Sequence, residues 1–247
     1  MDATLNTTSE QTAGTPAVVF QRFVRLLFAR LWRVIMPDII VMRILRDTIF
    51  NISLRDHAFW IFFGESASAE QIPFPSAGCV WDLGSNIGLH SVAAAKSGCR
   101  VIAFDIAEIN ILCLRQTAAQ NGLTITAVLS PITVRPVKFI PAKTAHTEEK
   151  LTLGGTRQSL DFNDAARIYG LPDFIKIDIE GSEAELLASK DFRNWIFENH
   201  IQIYLELHDG CESLLWPEFK RVDKTHWLLK SNESSSATGG ATTTERK

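Results

Sequence analysis

The stretch "PDFIKIDIEGSE", residues 172–183, sets Lys176, Asp178 and Glu180 at alternate positions, with Ile175, Ile177 and Ile179 between them. On a strand this spacing puts three ionisable side chains on one face and three aliphatic ones on the other. A buried charge persists only where it is paired or put to use, so a row of this kind points to proton transfer or ligand binding. Two readings stand side by side. In one, Lys176 and Asp178 form a structural ion pair that fixes the following loop. In the other, Asp178 and Glu180 act directly in catalysis while Lys176 partly neutralises them. A second group closes "IQIYLELH", which ends in Glu206 and His208. Imidazole, with an ordinary pKa of about 6.5, is the side chain best suited to take a proton near neutral pH. His208 is the first candidate base, with Glu206, Asp178 and Glu180 as competitors and a hydrogen-bonded spacer as its plainer alternative.

The third group is "DLGSNIG", which brings Asp82, Gly84, Asn86 and Gly88 into one turn. Glycine lets the backbone approach a ligand closely, and a helix N-terminus behind such a turn offers free N–H groups. Asp105 stands 21 residues after Gly84, close to the interval of roughly 20 at which an acid meets a ribose hydroxyl. Both features favour a nucleoside. The G-x-G-x-x-G of a dinucleotide site is absent, and Asp82 would repel a pyrophosphate while suiting a cationic ligand end, such as the amino group or sulfonium of S-adenosylmethionine. No Gly-Lys-Ser/Thr of a P-loop follows. Taken alone, "DLGSNIG" also suits an ordinary strand-to-helix turn.

These residues must be positioned by a sheet. Short aliphatic runs alternate with helical patterns along the middle of the chain, the signature of βα units. The spacing predicts strands around 80–83, 101–104, 125–129 and 174–178, and a last one over "IQIYLELH". Helices are expected from Ile87 to Lys96, over "AEINILCLRQTAAQNGL", after a cap at Asp161, and from a Ser182/Glu185 capping box. Residues 131–155 give only weak alternation, and "DTIFNISLRDHAFWIFFGE" suggests a hairpin or extra strands ahead of the main sheet. In open α/β sheets, ligands sit beyond the carboxyl ends of the strands, where Asp82, Asp105, Asp178 and His208 all fall.

"VWDLGSNIGLHSVAAAKSGCRVIAFD", "PDFIKIDIEGSEAELL" and "IYLELH" together resemble the FkbM-type S-adenosylmethionine-dependent methyltransferases, over roughly Ala58 to Asp209. The second motif is the more specific. The resemblance implies a Rossmann-like class I methyltransferase fold with a mostly parallel sheet and helices on both faces. It implies S-adenosylmethionine as cofactor and O-methylation of a hydroxyl on a carbohydrate, polyketide or other small metabolite. Asp82, Gly84 and Gly88 match the cofactor turn, Asp105 the ribose acid, and Asp178, Glu180 and Gly181 the family signature. Two departures stand out. The family commonly has Glu-Pro where Asp105 precedes Ile106, and only "LWPEFKRVDKTHWLLK" is available for the closing hairpin. The second departure leaves the acceptor pocket incomplete or completed by a partner.

A chain of 247 residues, 46% hydrophobic and 21% charged, fits one large globular domain with appendages. A net charge of −3 lacks the basic footprint of a nucleic-acid binder, so nucleic acid is not expected as a partner. Four cysteines without a CxxC spacing signal neither zinc nor a disulfide framework. No metal cluster is expected, with Mg²⁺ at Asp178 and a neighbouring acid as a minor option. Residues 1–16 and 231–247 read as disordered tails, 17–57 as a helical extension and 58–230 as the methyltransferase domain. Within the extension, 17–36 form a basic amphipathic helix carrying Arg22, Arg25, Arg30 and Arg33, ended by Pro37. That helix packs on its own domain or a partner, or lies on a membrane surface. The location expected is cytoplasmic, with membrane association through this helix as the alternative to its packing on protein. Two rival functions remain open: a dinucleotide-dependent oxidoreductase, whose turn is missing, and a non-catalytic descendant tethered by its N-terminal helix.

Overall fold

The computed structural model of the chain describes residues 39–45, 48–57, 72–143, 151–179, 182–208 and 211–230. The helix expected over 17–36, both expected tails, Glu180 and Gly181 lie outside them. The described part of the expected helical extension is instead an antiparallel hairpin, β1 (Ile40–Leu45) and β2 (Thr48–Ile52), followed by a helical turn at 54–57. Alternation in "TIFNI" explains it: Phe50 and Ile52 are fully buried against Ile87, Leu89 and Val92.

The chain then winds through β3 (Cys79–Leu83), α1 (Leu89–Lys96), β4 (Arg100–Asp105), α2 (Glu108–Asn121) and β5 (Ile125–Leu129). The described residues of 131–161, a range that includes the weakly alternating 131–155, hold five strands of two or three residues. These are β6 (Ile132–Thr133), β7 (Lys138–Ile140), β8 (Thr152–Leu153), β9 (Arg157–Gln158) and β10 (Leu160–Asp161). Strands this short have no periodicity to read. After them come α3 (Phe162–Tyr169), β11 (Phe174–Ile177), α4 (Glu183–Ala188), α5 (Lys190–Glu198), β12 (Gln202–Glu206), β13 (Lys220–Arg221) and β14 (His226–Leu229).

Seven strands form the central sheet in the order β13-β14-β12-β11-β3-β4-β5. The pairs among β12, β11, β3, β4 and β5 are parallel, while β14 joins β12 and β13 antiparallel. The sheet is therefore mixed and Rossmann-like, as expected, and the sixteen residues after Leu214 suffice for a closing hairpin. Helices cover both faces. Trp81, Leu83, Ile175, Ile177, Ile203 and Leu205 point at Phe162, Phe192 and Trp195 of α3 and α5. Burial of each such aliphatic side chain contributes roughly 1.5–3 kcal/mol. Val80, Val101 and Phe174 lie on the opposite face with Ala94 of α1, and Ala103 packs on Ile111 and Leu114 of α2. At one edge β13 is two exposed basic residues. At the other, the Ala127 carbonyl of β5 accepts from Arg115 Nε and Nη2 of α2, at 3.2 and 2.7 Å.

Helix α1 starts two residues later than its sequence pattern suggests. Gly84, Asn86 and Gly88 adopt φ of 77°, 50° and 88°, left-handed conformations that interrupt helical winding until the turn is complete. Ser182 makes no side-chain cap on α4, contrary to the capping-box reading. Glu183 supplies the contact instead, its Oε1 accepting from the Ile179 amide at 3.0 Å.

Candidate active site

The turn after β3 is tied down from several sides. Gly84 and Ser85 N–H both donate to the Phe104 carbonyl, at 3.0 and 3.1 Å. A Cβ on Gly84 would meet the Asp178 carbonyl oxygen at 1.8 Å, so only glycine lets the turn lie against the end of β11. Asp82 is 1% exposed, and its Oδ2 accepts from Ser91 Oγ of α1 at 2.6 Å. Asp82 Oδ1, Ser85 Oγ and Asn86 Oδ1 are buried without a hydrogen-bond partner. Buried polar atoms without a hydrogen bond are costly unless a ligand satisfies them, and together these three offer acceptors to the cationic and hydroxylated ends of an adenosyl amino acid, with Asp82 Oδ1 also facing a lysine ammonium.

Asp105, at the end of β4, is bound by its own loop. Oδ2 accepts from the Asn86 amide at 2.8 Å; Oδ1 accepts from the Ala107 amide at 2.8 Å and from Asn110 Nδ2 at 3.0 Å. A carboxylate oxygen carries two lone pairs. Oδ1 is therefore saturated, and the open lone pair belongs to Oδ2. Burial pushes the Asp105 pKa up to about 6, against the pull of those donors.

The charged row resolves into a clamp. Lys176, 2% exposed, places Nζ 3.0 Å from Asp178 Oδ2, 3.2 Å from the Gly84 carbonyl and 3.5 Å from Asp82 Oδ1. Burial opposes its charge, but Asp178 and Asp82 outweigh burial and hold the lysine firmly protonated. Burial raises the Asp178 pKa above the ordinary carboxylate value, with Lys176 pulling the other way. His90, in the first turn of α1, is driven down to about 4, first by burial and then by Lys176. The geometry is that of the ion-pair reading of Lys176, and the same ammonium joins the turn to the β11 edge.

His208 arrives at that edge from β12. Its Nδ1 is 3.1 Å from Glu183 Oε1 and its Nε2 is 3.8 Å from Asp178 Oδ1. Glu183 is fully buried. Burial would raise its pKa, but the His208 hydrogen bond and two backbone amides hold it below the ordinary value. An ionised carboxylate can only accept, so Nδ1 carries the proton and Nε2 is left as the acceptor. The sequence reading missed Glu183, although it closes the very motif that was singled out. Glu206, a rival base, is instead engaged by His226 of the neighbouring strand, 3.4 Å away. His226 in turn contacts Asp223 at 2.8 Å.

Asp82, Gly84, Asn86, Gly88, Asp105, Asp178 and His208 thus converge on the carboxyl edge of the sheet, while Glu180 lies outside the described residues. Among those residues, no group of three or more His, Cys, Asp or Glu is placed to hold a metal ion. No helix among them is long and apolar enough to cross a membrane.

The family described as "Methyltransferase FkbM domain" matches residues 82–232. None of the curated proteins compared matches the chain. Among solved structures, the C-terminal domain of precorrin-6Y C5,15-methyltransferase from Rhodobacter capsulatus matches at 15% identity and TM-score 0.36, over 65% of this chain and 78% of that one. The T. thermophilus 16S rRNA N2 G1207 methyltransferase, in complex with AdoMet and guanosine, matches at 16% and 0.42, over 78% of this chain and 50% of that one. An RNA methyltransferase from Salinibacter ruber, in complex with S-adenosyl-L-homocysteine, matches at 14% and 0.38, over 65% and 85%. Two of these three are RNA methyltransferases by name. The exclusion of nucleic acid, drawn above from a net charge of −3, is corrected: overall charge does not decide the partner, because a binding surface depends on local charge.

Proposed function

Since the chain belongs to the FkbM methyltransferase family, we propose that it binds S-adenosylmethionine and O-methylates a hydroxyl of a small metabolite, of carbohydrate or polyketide type. The observation that carries this reading is the arrangement at one sheet edge: a turn with three buried polar atoms that make no hydrogen bond on one side of Lys176, and the Glu183–His208 pair on the other. When bound, the cofactor supplies an electrophilic methyl group whose leaving group is a neutral thioether. Asp82 and the Ser85–Asn86 segment hold its amino-acid end, and Asp105 Oδ2 accepts from its ribose. His208 Nε2 takes the proton of the acceptor hydroxyl, while Glu183 keeps Nδ1 protonated and stabilises the imidazolium that forms. Asp178, beside Nε2, adds to that stabilisation. The Lys176 ammonium, set between Asp82 and Asp178, places one positive charge against both carboxyl groups at this edge. The protein's main contribution is alignment, worth about 7–11 kcal/mol when both reactants are held in place.

Calorimetry with S-adenosylmethionine on the wild type, Asp82→Ala and Asp105→Ala tests the first half of this reading. Binding weakened by both substitutions supports the site, and a screen of hydroxylated acceptors follows. A folded wild type that binds no S-adenosylmethionine sinks it and favours a non-catalytic descendant of the fold.

A further inference from the structure

One buried side chain of the N-terminal segment reaches the candidate ribose acid. Ser53 opens the helical turn at 54–57, and its N–H donates to His57 Nδ1 at 3.0 Å. His57 is 1% exposed. Its Nε2 lies 2.8 Å from Asn110 Oδ1, and Asn110 Nδ2 donates to Asp105 Oδ1 at 3.0 Å. We infer that His57 is a positioning residue for the cofactor site: through Asn110 it sets the Asp105 carboxylate so that Oδ2 faces a ribose hydroxyl. This rests on the reading of Asp105 as the ribose acid.

The direction of each bond is fixed by chemistry. A backbone N–H only donates, so Nδ1 of His57 is unprotonated and the ring proton sits on Nε2. Nε2–H can bond only the oxygen of the Asn110 amide, which turns the NH₂ group toward Asp105. Were that amide flipped, its oxygen would face a carboxylate and its NH₂ would face Nε2–H, two repulsive contacts at once. Burial lowers the His57 pKa, which keeps the ring neutral. The relay starts on a segment anchored independently. Asn51 N–H donates to Thr117 Oγ1 at 2.9 Å, Ile49 N–H to Asn121 Oδ1 at 3.1 Å, and Lys96 Nζ to Thr48 Oγ1 at 2.8 Å. The hairpin thus holds His57 in register with α2, which carries Asn110. Nothing in this chain of bonds touches the acceptor side of the site.

The test compares two ligands: S-adenosylhomocysteine, and its analogue lacking both ribose hydroxyls. His57→Phe removes the N–H to Asn110 and is expected to weaken S-adenosylhomocysteine about tenfold, the worth of one well-placed hydrogen bond. The dideoxy analogue should bind wild type and variant alike. His57→Gln, whose amide N–H points the same way, should recover affinity to within about threefold. Asn110→Leu cuts the relay from the other side and gives the same selective loss, which keeps the test decisive if His57→Phe does not fold. Equal weakening of both ligands, or no weakening in folded variants, overturns the proposal. A wild type that binds neither ligand overturns the cofactor reading itself; wild-type binding intact without a selective loss in the variants sinks only the relay.

Discussion

Lys176 and Asp82 face each other across the adjacent strands β11 and β3, Nζ 3.5 Å from Oδ1, with side chains 3% and 1% exposed. Removing the ammonium leaves Asp82 and Asp178 uncompensated in the interior. Lys176→Met is expected to cost about 3–5 kcal/mol of unfolding free energy, the usual effect of breaking a buried pair from one side. Adding Asp82→Asn should return part of it. Chemical denaturation measures both; a loss below about 1 kcal/mol for the single variant, the scale of a surface pair, would show that the clamp is wet.

The Glu183–His208 pair predicts a split between turnover and binding. With an acceptor in hand, His208→Ala should lower kcat by about 10²–10⁴ and leave S-adenosylmethionine affinity within about twofold. Glu183→Gln keeps a hydrogen-bond acceptor and loses the charge, so a drop of roughly tenfold is expected, the equivalent of one charge-assisted bond. Parallel losses of kcat and cofactor affinity would assign both residues to support of the fold.

Asp105 makes cofactor binding sensitive to pH. Its folded pKa, near 6, lies above the ordinary value of 3.8. The native stability tied to this group is thus greatest below 3.8 and is lost as pH rises through 6. Ribose binding runs the other way, because only the carboxylate accepts at Oδ2. S-adenosylmethionine affinity should be level above pH 6 and fall toward tenfold per pH unit below it. Asp105→Asn should bind more weakly and with a flat profile over pH 5–7.5 in calorimetry.

His226 predicts a second pH effect, on stability. Glu206 first, then Asp223, raises its pKa to about 9 from 6.5. Stability from the protonated ring is therefore complete below pH 6.5 and lost as pH rises through 9. Asp223 is half exposed, so the loss is scaled down to roughly 1–2 kcal/mol for solvent screening. Thermal unfolding should shift down between pH 7 and 9.5 in the wild type and stay level in His226→Gln. An equal downward shift in the variant would place the effect elsewhere.

The parallel core was legible because local patterns declare it. "CVWDLGSNIG" carries a strand and the turn that leads into a helix within ten residues, and Ile125–Leu129 matches β5 residue for residue. Asp82, Gly84, Asp105 and Asp178 could be placed at strand ends for the same reason. Glu183 could not, since its role depends on His208, 25 residues on, arriving from β12 at the same edge. The Glu206–His226 pair depends on an antiparallel register that no local signal specifies. His57 was invisible on similar grounds: its partner Asn110 lies 53 residues away, on a helix that periodicity describes but does not aim.

The two margins of the central sheet bear on how the protein behaves at high concentration. An open strand margin is a template for stacking one molecule on another. Here one margin ends in Lys220 and Arg221, too short and too positively charged to template a neighbour, and on the other Arg115 occupies the Ala127 carbonyl. Arg115 thereby satisfies a carbonyl that an open margin would offer to a neighbour. Its replacement by alanine would uncover β5 as a docking strand, and turbidity on storage would report it well before any change in cofactor affinity.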